Sequence, residues 1–305
     1  PLTIVIDVAP VPSDATTINS GPQIVCAGSS GNVYTISAIP NATSYVWTIP
    51  NGAVITTTTN SITVNYALSD VSGNLSVHGI NTCGDGGEST NYPILIIAVP
   101  VLSSSTTPAD ICSGDLFYYT PTSTTATNFT WTRAVVSGIS NPTGFGNGII
   151  NENLENTTSS PISVVYTYTI TTPAGCENTE NVTVIVNPLP TLTSATTTTP
   201  ICSGDTFNYS PTSSIPATIN WSRAAIVGIT EGSTSGSGNI SETLTNTTTS
   251  TISVTYVLSL TATGSGCTIP PLTLVIDVAP VPSDATTINS GPQIVCAGST
   301  GNVYT

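Results

Sequence analysis

Seven cysteines and three tryptophans recur in a fixed order along this sequence: Cys26, Trp47, Cys83, then Cys112, Trp131, Cys176, then Cys202, Trp221, Cys267, with Cys296 opening a further set. Thiols can hold a metal or pair as disulfides. A structural metal site wants clustered ligands, such as Cys-x-x-Cys joined by histidines. Here the cysteines stand apart and the sole histidine is His78, so no metal site is expected and disulfides in an oxidising compartment are.

Catalytic chemistry finds little to work with. His78 lies in the alternating run Leu75-Ser76-Val77-His78-Gly79-Ile80, beside no nucleophile motif and without a counterpart in the later segments. It reads as an outward-facing strand residue. No acid, base, nucleophile and metal constellation is present, so the chain is read as a non-enzyme.

Arg133 and Glu152 are matched by Arg223 and Glu242 at an offset of 90 residues, while Ile49 takes the place of the arginine in the first segment. That co-occurrence predicts an ion pair within each of the two later segments. The alternative is an arginine gripping a glycan beside Trp131 or Trp221, against which stands the expectation that Trp47, Trp131 and Trp221 are core. No cofactor is expected. Calcium would want an Asp-x-Asp-x-Asp loop, which the sequence lacks, and Asp115 and Asp205 follow Cys-Ser-Gly as turn residues do. Sequons at Asn41, Asn74, Asn128, Asn156, Asn181, Asn208, Asn220, Asn239 and Asn246 are open to glycosylation.

Strands must position these residues. Apolar and polar residues alternate over Asn32 to Ile36, Ser61 to Tyr66, Ile162 to Thr171 and Ile252 to Leu260. Thr, Val, Ile and Tyr dominate these runs, Gly, Pro, Asn and Ser cluster between them, and no helical pattern competes. The fold class is all-β.

Residues 1–35 recur as 271–305 with two changes, Ile4 to Leu274 and Ser30 to Thr300, which sets a period of 270 residues and implies tandem duplication. Within it, Cys26, Cys112, Cys202 and Cys296 are spaced by 86, 90 and 94 residues. Residues 1–9 are expected to be the last strand of a preceding copy, 10–99, 100–188 and 189–279 three domains, and 280–305 the start of the next copy. The parent protein is expected to be much longer. Each boundary runs into proline with no Gly/Ser spacer, predicting stiff joints and an extended rod of about 100 to 120 Å per copy.

Only 6 % of residues are charged, there is no Lys, and the formal net charge is −14. Nucleic-acid phosphates would be repelled, and Lys-Asn isopeptide staples are ruled out. No run of 18 apolar residues is present to span a membrane in this stretch.

The order Cys, Trp, Cys resembles an immunoglobulin-like sandwich, in which an inter-sheet disulfide packs on a buried Trp. That resemblance implies Cys26–Cys83, Cys112–Cys176 and Cys202–Cys267, one bridge per domain, with Cys296 pairing beyond the sequence. The Cys-to-Trp gap of 19 to 21 residues is long for an antibody domain and points to a variant topology. More specifically, Val25-Cys26-Ala27-Gly28, Ser44 to Ala53 and Asn81-Thr82-Cys83-Gly84 resemble the PKD-like repeats of giant surface adhesins of gliding bacteria. Ile111 to Asp115 with Ile201 to Asp205, and Trp131-Thr132-Arg133 with Trp221-Ser222-Arg223, resemble a sister family. The resemblance implies type IX secretion, a cell-surface location and a stalk or filament in attachment, gliding or biofilm formation. Its partners would be neighbouring repeats, identical fibres laterally, and glycans or abiotic surfaces met by a distal tip. A laterally assembled structural filament or sheath, or carbohydrate-binding or spacer modules of a secreted polysaccharide-degrading enzyme, are the other readings.

Overall fold

The computed structural model describes residues 3–4 and 8–281. Cys296 and nearly all of the expected next copy lie outside the described residues, as do residues 1–2 and 5–7 of the expected leading strand. Every regular element among the described residues is a β-strand.

The first segment forms β1 (Ile18–Ser20), β2 (Ile24–Cys26), β3 (Asn32–Ile36), β4 (Ser44–Thr48), β5 (Val54–Thr57), β6 (Ser61–Val64), β7 (Gly73–Asn81), β8 (Gly84–Asp85) and β9 (Tyr92–Ile97). One sheet has the order β1-β3-β6, the other β2-β9-β7-β4-β5 with β8 on β7. The second segment forms β10 (Ile111–Cys112), β11 (Leu116–Tyr119), β12 (Asn128–Arg133), β13 (Gly144–Asn147), β14 (Ile150–Asn153), β15 (Ile162–Thr171) and β16 (Glu177–Asn187). Its sheets are β11-β14 and β10-β16-β15-β12-β13. The third repeats this plan with β17 (Ile201–Cys202), β18 (Thr206–Tyr209), β19 (Ala217–Arg223), β20 (Thr234–Ser237), β21 (Ile240–Thr243), β22 (Ile252–Ala262) and β23 (Leu272–Ala279), arranged as β18-β21 and β17-β23-β22-β19-β20.

The reason is visible in β15, where Val164, Tyr166, Tyr168 and Ile170 are fully buried while Ser163, Val165 and Thr167 face out. A period of two puts one set on the core face, and antiparallel pairing of all ten residues with β16, from Ile162↔Val186 to Thr171↔Glu177, fixes the register. Each segment closes its own core, around Trp47, Trp131 and Trp221 respectively, and among the described residues each buried cluster draws on one segment. The first two sandwiches belong to one compact unit and the third to a second.

Candidate functional site

The six described cysteines lie at the last residue of a short strand or in the turn beyond one, at the ends of the sandwiches. Cys26 closes β2, which runs parallel to the last strand of its segment with Cys26 opposite Ile97. Cys202 closes β17 in the same way, opposite Ala279 at the end of β23. Behind each the chain turns sharply: Asp205 N–H donates to the Cys202 carbonyl at 3.0 Å, Cys202 N–H donates to the Asp205 carboxylate at 3.1 Å, and Gly204 takes φ +90°. Asp115 serves Cys112 likewise, so both aspartates act as turn residues. The second cysteine of each segment sits beyond its longest antiparallel neighbour: Cys83 after β7, Cys176 between β15 and β16, Cys267 after β22.

This placement overturns the expected pairing within domains. Cys26 is bonded to Cys176, 150 residues away, with Cα atoms 5.6 Å apart. Cys83 and Cys202 are exposed free thiols, and Cys112 and Cys267 are both disulfide-bonded. Cys26–Cys83, Cys112–Cys176 and Cys202–Cys267 are therefore all excluded. The physical reason is length. Within a sandwich the two cysteines lie at opposite ends of the last strand pair, separated by about ten residues of strand or ~33 Å, whereas a disulfide tolerates Cα atoms no more than about 7 Å apart. The bond that does form joins the end of the first sandwich to the near end of the second. Beside it Ile97 and Ala98 face Thr172, Pro173 and Ala174 across an apolar cleft of about 400 Å³.

What ties the two sheets together instead is a buried ion pair. Arg133, on β12, donates from Nε and Nη2 to the two carboxylate oxygens of Glu152, on β14 in the opposite sheet, at 3.0 Å each. Tyr166 of β15 donates its hydroxyl to the same carboxylate at 2.7 Å. In the third segment Arg223 pairs with Glu242 at 3.1 and 3.2 Å, with Tyr256 donating to Glu242, and Arg223 also donates to the Gly232 carbonyl at 2.8 Å. The arginine side chains are 1 % and 0 % exposed, so neither can grip a glycan. Burial pushes the Glu152 carboxyl up, but the hydrogen bonds from Arg133 and Tyr166 and the arginine charge outweigh it, leaving it below its usual value. The hydrogen bonds and charge of Glu152 raise Arg133 despite its burial. In the first segment Ile49 is buried at the arginine position, and Tyr34 and Tyr66 share a buried hydroxyl contact of 2.9 Å.

Trp131 packs edge-on against Tyr166 and Trp221 against Tyr256, with ring centroids 5.4 and 5.8 Å apart. Trp47 is fully buried. All three tryptophans pack without a disulfide of their own sandwich against them. His78 lies on β7 with Nδ1 2.8 Å from Glu88 Oε1. Two of the sequons are closed to glycosylation: Asn156 and Asn246 are buried, donating from Nδ2 to the carbonyls of Ser160 and Ser250 at 2.8 Å and accepting from Thr158 and Thr248. The other seven, Asn41, Asn74, Asn128, Asn181, Asn208, Asn220 and Asn239, are exposed. Among the described residues no three His, Cys, Asp or Glu side chains gather as a metal site would require.

Residues 11–94 match a family model described as a PKD-like domain, and residues 109–190 and 199–282 each match a second model of the same description. The chain belongs to the PKD-like domain family. Its three PKD-like domains resemble tandem immunoglobulin domains of solved structures at low identity. A three-domain titin fragment, I67–I69, is 12 % identical, covering 90 % of this chain and 100 % of that one at a TM-score of 0.40. Extracellular domains 3–5 of Drosophila OTK are 12 % identical over 88 % of this chain and 100 % of that one, at 0.28. The whole-chain superpositions are loose, and membership rests on the PKD-like matches. No curated protein matches the chain.

Proposed function

We propose that this PKD-like array is the structural repeat region of a long extracellular adhesin stalk or surface filament, serving attachment, gliding or biofilm formation rather than catalysis. The observation that supports it best is the Cys26–Cys176 bond, a second covalent tie between successive domains, beside the backbone, that suits a load-bearing rod. Disulfides require an oxidising compartment, which favours a place outside the cell. The two cations are both buried in ion pairs, so the surface has no cationic side chain with which to bind nucleic acid and almost no site for a trypsin-like protease. Proline at each joint favours an extended rod. Export by the type IX route and an anchor on the cell surface belong to the same reading, carried by the family resemblance.

A second reading, lateral assembly into a sheath, is favoured by Phe145 and Val227, large apolar side chains 83 % and 98 % exposed on a surface with little charge to repel a neighbour. Electron cryo-microscopy of native surface material separates the two. A single file of beads with a three-domain axial repeat supports the stalk, and several chains in fixed lateral contact support the sheath. Discrete globular particles with no axial repeat would overturn both.

A further inference from the structure

We propose that the disulfides of this array run from each domain to the next, first cysteine to the second cysteine of the domain that follows, so that Cys202 and Cys83 are the two halves of a bond joining successive 270-residue copies. The inference rests on the array continuing beyond one copy, as in the function proposed above.

The argument is positional. Cys202 closes β17 beside the end of β23 as Cys26 closes β2 beside the end of β9, and Cys26 is bonded to the second cysteine of the domain that follows it. Cys112 holds that same first position in the second domain and is also bonded. Cys83 follows β7 as Cys176 follows β15 and Cys267 follows β22, and both of those are bonded. Among the described residues the two free thiols are the two whose partners, by this rule, belong to a neighbouring copy. Cys202 lies in the third domain, and the sequence that follows it, residues 271–305, repeats residues 1–35, so the next domain is a copy of the first, whose second cysteine is the counterpart of Cys83. Both thiols are exposed at the domain ends where that junction falls.

Closing the bond removes two protons and two electrons from the thiol pair. A disulfide donor, either a dithiol oxidoreductase in its oxidised form or a low-molecular-weight disulfide, accepts them. The Cys202 thiolate attacks the donor and displaces one thiol. The thiolate of the Cys83 counterpart then attacks the mixed disulfide and displaces the second.

The test is a peptide map of the native surface protein, denatured and alkylated with iodoacetamide without reduction, then cleaved with Glu-specific protease and thermolysin. The expected products are a Cys202 peptide joined to a Cys83 peptide and a Cys26 peptide joined to a Cys176 peptide, with Cys83 and Cys202 unalkylated. In the isolated 305-residue chain both should be alkylated. Cys202→Ser in the native protein should expose one new thiol per copy, at Cys83, and leave Cys26–Cys176 intact. Cys26 joined to Cys83, Cys202 joined to Cys267, or an alkylated Cys202 in the native protein would overturn the rule. A Cys202–Cys83 link that raises the denatured mass to a ladder collapsing on reduction would show bonds between separate chains and overturn it too. A reduced chain no longer than one copy would sink the array reading and the junction bond with it, while the Cys26–Cys176 peptide would still score the rule within a copy.

Discussion

At the residue scale, the Arg–Glu–Tyr cluster does the inter-sheet work that the cysteines were expected to do. Removing one member of a buried pair leaves the other charged and uncompensated, so Arg133→Met or Glu152→Gln should destabilise the second domain by about 3–5 kcal/mol, read from chemical denaturation. The double replacement Arg133→Met with Glu152→Leu should lose less than either alone; a larger loss would show that the pair is worth more than its geometry implies. The pair also sets an acid limit. Because the Glu152 carboxyl is held below its unfolded value, its contribution is present above that value, near pH ~4.3, and lost as pH falls through the lower folded one. Melting temperature should therefore fall between pH ~5 and ~3, and Glu152→Gln should flatten that slope. The matching offset of Arg133 with Glu152 and of Arg223 with Glu242 made the pairing legible in the sequence. The tyrosine that completes each cluster was not, because it is one of many strand tyrosines until register places it.

At the element scale, the close approach of β12 to β13, and of β19 to β20, each depends on a residue without a side chain. Gly146 lies opposite Trp131, and a Cβ there would meet the indole Cζ2 at 2.8 Å; at Gly236 the same atom would meet Trp221 at 2.5 Å. Overpacking against a buried ring has no soft neighbour to yield, so Gly236→Ala should cost about 1–3 kcal/mol and Gly232→Ala, where a Cβ meets nothing, should be near neutral. Paired urea titrations would check this, and equal effects would mean that the indole shifts freely. Alternation read the strands correctly because its period is local. Pairing of the cysteines failed because the Cys, Trp, Cys order was matched to a frame whose cysteines sit mid-strand. The local signal pointed elsewhere: Cys112 and Cys202 are followed by Ser-Gly-Asp, Cys176 and Cys267 are preceded by Gly, and Cys83 is followed by Gly, all turn sequences at strand ends. The long Cys-to-Trp gap carried the same message.

At the scale of the whole molecule, the cores and the covalent ties are separate systems. Neither the Trp47 nor the Trp131 cluster includes Cys26 or Cys176, so reduction should leave far-ultraviolet circular dichroism unchanged while altering how the chain yields to force. In single-molecule stretching, the segment from residue 26 to 176 should release no contour length while oxidised, and after reduction should be free to extend to about 500 Å, 150 residues at the chain's full reach. Equal extension in both states would contradict the tie. The Cys26–Cys176 bond also changes what a cut does. Hydrolysis of any one peptide bond between those residues leaves both fragments on the same molecule, and the overlap of loops from copy to copy proposed above would extend this along the array. Cuts alone, however many fall inside that loop, leave its two ends joined through sulfur, so a reductant must arrive with the protease to sever it, and damage accumulates as nicks long before the chain parts.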